Sequence, residues 1–109
     1  MKLAIVGSRN LSVKNLGEYI PENVTEIVSG GAKGVDSEAA IYALEHGIKL
    51  KVFLPEYERY KRGAPLKRNI LIAEYADECI AFWDGKSKGT IHTVELFRNL
   101  NKKVVVIKK

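Results

Sequence analysis

Five short apolar runs recur along the chain, and the segments between most of them carry apolar residues at helical spacing. An uninterrupted apolar run is typical of a parallel strand that is covered on both faces. The run over 49–54 differs, because Leu50, Val52 and Leu54 alternate with other residues, which predicts a more polar strand near a sheet edge. The predicted strands are residues 3–6, 25–28, 49–54, 77–83 and 104–107.

Helical patterns separate the strands. Val35, Ala39 and Ala43 share one face of a predicted helix over 35–46. Proline fits the first turn of a helix, and a serine or threonine fits its N-cap. The other predicted segments are a short helix capped by Ser12 and ending before Pro21, a loop over 55–63, a helix beginning near Pro65, and a helix over 90–100.

Strand and helix alternate from end to end, which places the chain in the α/β class. We predict a single domain over 1–109: a three-layer, Rossmann-like open parallel sheet of five strands with helices on both faces. A common strand order for such a sheet is 3-2-1-4-5, with right-handed crossovers. Strands 2, 1 and 4 are then neighbours, and ligands of such sheets bind outside the carboxyl ends of the strands at this point.

The loop after the second strand is rich in glycine. Glycine permits positive φ angles and lets a ligand approach the backbone closely. A helix that begins at such a turn directs unpaired N–H groups and a positive dipole end toward it. The loop is therefore an anion-binding turn or, alternatively, a tight structural turn. Its candidate ligand contacts are Ser29, Gly30, Gly31, Ala32, Gly34 and Asp36, where Asp36 either compensates the dipole or contacts a ligand hydroxyl.

Two other loops at the same predicted edge carry small or donor residues. Gly7-Ser8-Arg9 follows the first strand, and Gly89-Thr90 opens the last helix. Arg9 and Arg68 can each donate bidentately to phosphate. Agreement among the three loops predicts a site for a phosphorylated small molecule.

Neither glycine loop completes a standard nucleotide motif. Ser29 replaces the first glycine of G-x-G-x-x-G, and the motif follows the second strand, which argues against an ordinary NAD site. Gly85-Lys86-Ser87 is similar to the end of a P-loop, but Ile80 stands where that pattern needs glycine. We expect no cofactor, and no metal site, because the histidines are few and far apart.

The chain has 109 residues and a net charge of +5. Its densest cluster of basic residues lies between Arg59 and Arg68, and it has three alternative interpretations. It forms a solvated face, a basic rim around an anionic ligand, or a nucleic-acid groove, although few stacking aromatic residues accompany it. Cys79 is the only cysteine, which excludes an internal disulfide and favours a cytoplasmic setting. No apolar run approaches the ~20 residues of a membrane span, so we expect no membrane partner. The basic cluster consists of Arg59, Lys61, Arg62, Lys67 and Arg68.

Four segments, taken in order, look like one known group: Gly7-Ser8-Arg9, Ser29 to Ala39, Arg68-Asn69, and Ser87-Lys88-Gly89-Thr90. They resemble the SLOG superfamily, which includes the Rossmann-like domain of DNA-processing protein A, LOG-type phosphoribohydrolases and small YspA-like proteins. By its length the chain is similar to a stand-alone minimal member. The resemblance implies a nucleotide or nucleotide-derived ligand held by these loops, Asn69 and Ser87 included, and often a homodimer.

One departure from the superfamily bears on catalysis. The phosphoribohydrolases carry G-G-x-G-T-x-x-E, and Thr93 stands where that glutamate acts. Glu95 lies on another helical face, which leaves Asp36, Asp84 and His92 as candidate acid–base residues. Whether the protein is an enzyme stays open. The leading hypothesis is a nucleotide sensor or binding module, and the alternatives are a nucleoside-phosphate N-glycosidase and a single-stranded DNA-binding protein.

Overall fold

A computed structural model describes residues 1–109. The strands are β1 (Lys2–Gly7), β2 (Glu26–Ser29), β3 (Lys49–Val52), β4 (Glu78–Trp83) and β5 (Lys103–Lys108). The helices are α1 (Val35–Glu45), α2 (Tyr57–Tyr60), α3 (Ala64–Tyr75) and α4 (Lys88–Asn99). Short 3₁₀ helices span Leu16–Tyr19 and Lys61–Gly63. None of the helices is both long enough and apolar enough to cross a membrane.

The five strands form one parallel sheet in the order β3-β2-β1-β4-β5, which confirms the predicted fold class and topology. β1 is central, and its last residue, Gly7, pairs with Phe82 of β4. Because the strands are parallel, the carboxyl ends of β2, β1 and β4 lie at one edge of the sheet. The loops that follow them are therefore brought together there.

Two apolar cores cover the faces of the sheet. Leu3 and Ile5 of β1 point to the face that α1 covers, where Val35, Ala39 and Ala43 are fully buried. The alternate β1 residues, Ala4 and Val6, point to the opposite face, which α3 and α4 cover. This alternation follows from the period of two along a strand, and it places helices on both faces.

The edge strand β3 has no buried residue, which agrees with the more polar pattern of this segment. Its strand neighbours are limited to β2, so one row of backbone groups is unpaired. Lys49 and Lys51 alternate along it, and lysine on an edge strand opposes pairing with another chain.

Several local predictions were wrong in detail. Ser12 does not cap a helix. Its hydroxyl donates to Glu38 Oε2 at 2.7 Å, and the neighbouring Val13 N–H donates to Glu38 Oε1 at 2.8 Å. The segment predicted as a loop over 55–63 contains α2, which buries none of its residues and so lacks the apolar stripe by which a helix is predicted.

Lys102 joins the end of α3 to the segment that enters β5. Its ammonium group donates to the carbonyl oxygens of Ala73 at 2.7 Å, Glu74 at 3.0 Å and Ala76 at 2.8 Å. The last carbonyls of a helix have no partner within the helix, and a cation there also opposes the negative end of the dipole. Lys102 therefore satisfies the C-terminus of α3 from outside the helix.

Replacing Lys102 with Met keeps the aliphatic stem and removes these hydrogen bonds. We expect the free energy of unfolding to fall by about 1–3 kcal/mol, since partly buried carbonyls lose a charged donor. Urea denaturation followed by circular dichroism measures the change. Lys103→Met is the matched control, because Lys103 is exposed. Equal stability of the two variants would contradict this role.

Candidate functional site

A cavity of about 460 Å³ opens at the carboxyl ends of β1, β2 and β4. Its floor includes the apolar side chains of Val6 and Ile72, and its walls come from the loops after these strands and from the start of α3. Most of the predicted contact residues line it together: Gly7, Ser8, Arg9, Gly30, Ala32, Asp36, Arg68, Asn69, Ser87, Gly89 and Thr90.

The predicted contacts Ser29, Gly31 and Gly34 lie outside the lining and shape the turn between β2 and α1. Gly31 and Gly34 both have positive φ, at 72° and 75°. A Cβ on Gly34 would lie 2.6 Å from the carbonyl oxygen of Arg9, and a Cβ on Gly31 would overlap Leu54. These glycines are required by the fold of the turn itself.

The same turn uses its own backbone N–H groups internally. Gly31 N–H donates to Ser29 Oγ at 3.2 Å, and Ala32 N–H donates to Asp36 Oδ2 at 3.1 Å. Ser29 Oγ in turn donates to the carbonyl oxygen of Asp36 at 3.4 Å. The two amides at the centre of the turn are therefore engaged within the protein, and an anion at this loop would have to compete for them.

The start of α4 is arranged differently. The backbone N–H groups of Lys88, Gly89 and Thr90 have no hydrogen-bond acceptor within the protein. These residues line the cavity, and the space where a Cβ of Gly89 would point is open to at least 4 Å. Helix N-termini with free amides bind anions through those amides and the helix dipole.

Asp84 holds the loop in front of α4. Its Oδ1 accepts hydrogen bonds from the N–H groups of Lys86 and Ser87, both at 2.8 Å, and its Oδ2 accepts from Ser87 Oγ at 3.2 Å. These bonds lower the pKa of Asp84 to about 2. The Asp84 N–H donates to Ser8 Oγ at 3.2 Å, which ties this loop to the end of β1. Asp84 is not part of the cavity lining, so the structure gives it a role in loop geometry.

Asp36 and Arg68 lie against Gly30 on the other side of the cavity. A Cβ on Gly30 would lie 2.6 Å from Arg68 Nη1 and 3.0 Å from Asp36 Oδ2. Burial raises the pKa of Asp36, against the opposing effects of the Ala32 N–H and the Arg68 charge, and burial also lowers the pKa of Arg68. Asp36 Oδ1 is buried and accepts no hydrogen bond.

Side-chain hydrogen bonds fix the position of Arg68. Its Nη1 donates to the carbonyl oxygen of Gly30, and its Nε donates to Asn69 Oδ1 at 2.9 Å. Arginine has only donors, so Asn69 must present its oxygen to Arg68 and its NH₂ group to His92 Nδ1, 3.2 Å away. His92 Nδ1 therefore accepts, and any ring proton of the neutral form is on Nε2.

Some lining residues were missed or misread from the sequence. Asn10, Pro65 and Leu66 also line the cavity. The spacing of Leu66, Ile70 and Ala73 predicts an apolar stripe on this helix, yet Leu66 is 50% exposed. The signal that points to these residues is positional: Asn10 extends the loop after β1, and Pro65 marks the first turn of α3. Thr93 lines the cavity too, and its hydroxyl donates to the carbonyl oxygen of Gly89 at 3.2 Å.

Comparison with known proteins places this geometry in a family. The sequence model described as DNA recombination-mediator protein A matches residues 1–57, which is more than half of the chain and includes the β1 and β2 loops. The chain belongs to the DNA recombination-mediator protein A family. The predicted resemblance to the SLOG superfamily, which includes the DNA-processing protein A domain, is thereby confirmed.

A solved structure of similar fold is the X-ray structure of DNA processing protein A from Streptococcus pneumoniae. The TM-score is 0.74 at 24% sequence identity over 99% of this chain, which shows a shared fold. The present chain spans about half the length of that protein, covering 50% of it. No curated protein matches the sequence.

No group of three or more histidine, cysteine, aspartate or glutamate side chains is placed to hold a metal ion. Cys79 is buried, and burial raises the pKa of its thiol, as expected for a small core residue. Trp83 is half-buried and donates from Nε1 to the carbonyl oxygen of Ser87 at 3.0 Å, so it supports the α4 loop from outside the cavity.

Gly34 offers a direct test of the structural role of the β2–α1 turn. Gly34→Ala places a Cβ at positive φ against the Arg9 carbonyl, and we expect it to lower the free energy of unfolding by at least about 1–3 kcal/mol. Thermal and urea unfolding measure this. Gly63→Ala is the matched control, because Gly63 has no atom within 4 Å of the added Cβ and a φ of −80°. A Gly34→Ala protein as stable as this control would disprove the interpretation.

The pKa of Asp84 predicts a pH dependence of stability. Folding lowers this pKa to about 2, from about 3.9 in an unfolded chain, so the ionised form is favoured by the native state. Its contribution to stability is present above about pH 4 and is lost as the pH falls toward 2. Asp84→Asn cannot titrate, so its free energy of unfolding should fall less over this interval than that of the wild type.

Urea denaturation at several pH values between 2 and 5 tests this expectation. Glu45→Gln is the control, because Glu45 is an exposed carboxylate at the end of α1. If Asp84→Asn and the wild type lose stability in parallel, the carboxylate does not carry this effect.

Proposed function

We propose that this protein binds a nucleotide or a nucleotide-derived phosphorylated small molecule in the cavity at the ends of β1, β2 and β4, as a sensor or binding module. The observation that carries the proposal is that one cavity contains both hydrogen-bond donors and a hydrogen-bond acceptor without partners in the protein. The donors lie at the open N-terminus of α4, and the acceptor is the buried, unpartnered carboxylate oxygen of Asp36. A ligand with an anionic end and a neutral donor satisfies both.

The α4 side suits a phosphate group. Three backbone N–H groups, from Lys88 to Thr90, are free to donate there. The open space at Gly89 lets a phosphate reach them. Hydrogen bonds to a charged group contribute about 1.5–3 kcal/mol each. After the costs of association, a few such bonds are sufficient for micromolar affinity.

The remainder of the cavity suits a compact ligand. Its volume of about 460 Å³ falls within the ~300–1,000 Å³ of small-molecule sites. Arg68 is held in place before any ligand arrives, so little side-chain entropy is lost when it contacts one. Arg9 lines the cavity, is exposed, and adds a second positive charge.

The lining gives little support to hydrolysis. Asp36 is the only carboxylate in it, and Thr93 brings no titratable group to the position that the phosphoribohydrolase glutamate occupies. The Thr93 hydroxyl is already engaged with the backbone of α4. Binding is therefore the stronger proposal than N-glycosidic bond cleavage.

Single-stranded DNA is the second candidate, and the family description favours it. Arg9, Arg68 and Lys88 line the cavity, and Arg62 and Lys67 are exposed nearby in the sequence. Stacking aromatics are the usual platform for single strands, however, and no aromatic side chain lines this cavity. The cavity thus fits one nucleotide unit better than an extended strand. The homodimer and the cytoplasmic setting stay predictions.

Isothermal titration with AMP, GMP, CMP and UMP, and with the corresponding nucleosides, tests the proposal. We expect at least one nucleotide to bind at micromolar concentration and its nucleoside to bind at least tenfold more weakly. At 100 times the dissociation constant, the ligand should add about 2.7 kcal/mol of stability and raise the melting temperature by several degrees. Gly89→Val fills the open space and should abolish binding, whereas Gly63→Ala should not.

The same measurements separate the two candidates. A fluorescent single-stranded DNA oligomer that binds with a steep salt dependence, while no mononucleotide binds, would favour the second candidate. Failure of every nucleotide and of the oligomer to bind the folded wild-type protein would overturn both.

A further inference from the structure

We propose that Asp36 recognises a ribose hydroxyl, so that the cavity selects ribonucleotides over deoxyribonucleotides. The inference rests on the proposed function and specifies its ligand class. It also gives this chain a ligand preference different from the DNA that its family's description names.

The Asp36 side chain is set up to receive a donor. The residue is only 5% exposed, and it lines the cavity. An ionised carboxylate accepts hydrogen bonds only. Oδ2 has the Ala32 N–H as its donor, whereas Oδ1 has none. A buried acceptor without a donor is costly, and native proteins rarely leave one unless another group fills it.

The neighbouring cation does not fill this position. Arg68 directs Nη1 to the Gly30 carbonyl and Nε to Asn69 instead of forming a hydrogen bond with Oδ1. Its charge still acts on Asp36 and partly offsets the desolvation of the carboxylate. A donor on a group that enters the cavity can supply the missing partner, because Gly30, Asp36 and Arg68 line that cavity together.

The charge of Asp36 decides which part of a nucleotide lies there. A phosphate beside a carboxylate is repelled, so the anionic end belongs at the α4 amides. What approaches Asp36 must be a neutral donor, and the donors of a nucleotide are its sugar hydroxyls and the amino or imino groups of some bases.

Strand spacing favours the sugar. β2 and β4 flank β1, so the loops that lead to Asp36 and Gly89 begin two strand spacings apart, about 10 Å. A 5′-phosphate, one sugar ring and a hydrogen bond at each end fill such a distance. Within a nucleotide, the edge of the base lies further from the 5′-phosphate than the sugar hydroxyls do. The vicinal ribose hydroxyls are therefore the donors that match Oδ1.

Competition between matched nucleotides tests this assignment. For whichever base binds in the ribonucleotide titration, the dissociation constants of the ribonucleoside, 2′-deoxy and 3′-deoxy 5′-monophosphates are measured at one salt concentration. We expect loss of at least one hydroxyl to weaken binding about tenfold or more, the effect of removing a hydrogen bond to a charged group. In Asp36→Ala, the ribose and deoxyribose forms should bind equally.

Controls keep the outcomes distinct. Glu45 lies on the same helix as Asp36, and Glu45→Ala should retain the wild-type ratio of deoxyribonucleotide to ribonucleotide dissociation constants. Melting curves verify that each variant is folded. Asp36→Asn serves where the alanine variant unfolds. Its ratio of deoxyribonucleotide to ribonucleotide dissociation constants should fall, since a neutral amide is a weaker hydrogen-bond partner than a carboxylate.

Three results would overturn the inference while the proposed function stands. The first is equal affinity of the wild type for nucleotides with all three sugars. The second is a ratio of deoxyribonucleotide to ribonucleotide dissociation constants that is unchanged in the folded Asp36 variants. The third is discrimination that follows the base amino group, as between AMP and IMP. Absence of any nucleotide binding would instead overturn the proposed function.

Discussion

The end of β1 lies so close to its neighbours that only glycine fits at position 7. A Cβ there would lie 2.6 Å from Val35 Cγ2, on α1, and 3.0 Å from the carbonyl oxygen of Phe82, on β4. This contact brings the first turn of α1 against the central strand, and the Ser8 N–H then donates to the same Phe82 carbonyl at 3.0 Å. The cavity exists because the three loops converge on this point, so the packing at Gly7 sets the distance between Asp36 and the α4 amides.

The two glycine-rich loops have different physical roles. The β2–α1 turn looks like an anion site in sequence, but its central amides are occupied by Ser29 and Asp36. The loop before α4 has fewer glycines, and Asp84 accepts from its Lys86 and Ser87 N–H groups. The N–H groups of Lys88, Gly89 and Thr90, at the start of α4, are the ones left free. Glycine at 31 and 34 serves backbone conformation, whereas Gly89 has neither positive φ nor a close neighbour to explain it.

The sequence was sufficient for the sheet order and the layer arrangement, because apolar strands and amphipathic helices alternate without interruption. It was also sufficient for most of the cavity, because parallel strands bring their following loops to one edge. It was insufficient for contacts that depend on side-chain conformation. Glu38, for instance, accepts from both Ser12 and Val13 across the fold, and nothing in the local pattern indicates that pairing. α2 was missed for a related reason, since a helix that buries no residue carries no periodic signal.

The hydrogen-bond chain from His92 through Asn69 to Arg68 crosses between elements that are far apart in sequence. It starts on α4, passes through α3 and ends on the backbone at the end of β2. A small rotation of α4 about its axis would move His92 away from the Asn69 amide. That movement would in turn loosen the hydrogen bond between the Arg68 guanidinium and the carbonyl oxygen of Gly30, which lies 38 residues earlier in the sequence. One chain of hydrogen bonds thus connects the α4 side of the cavity to the Gly30 carbonyl on the other side.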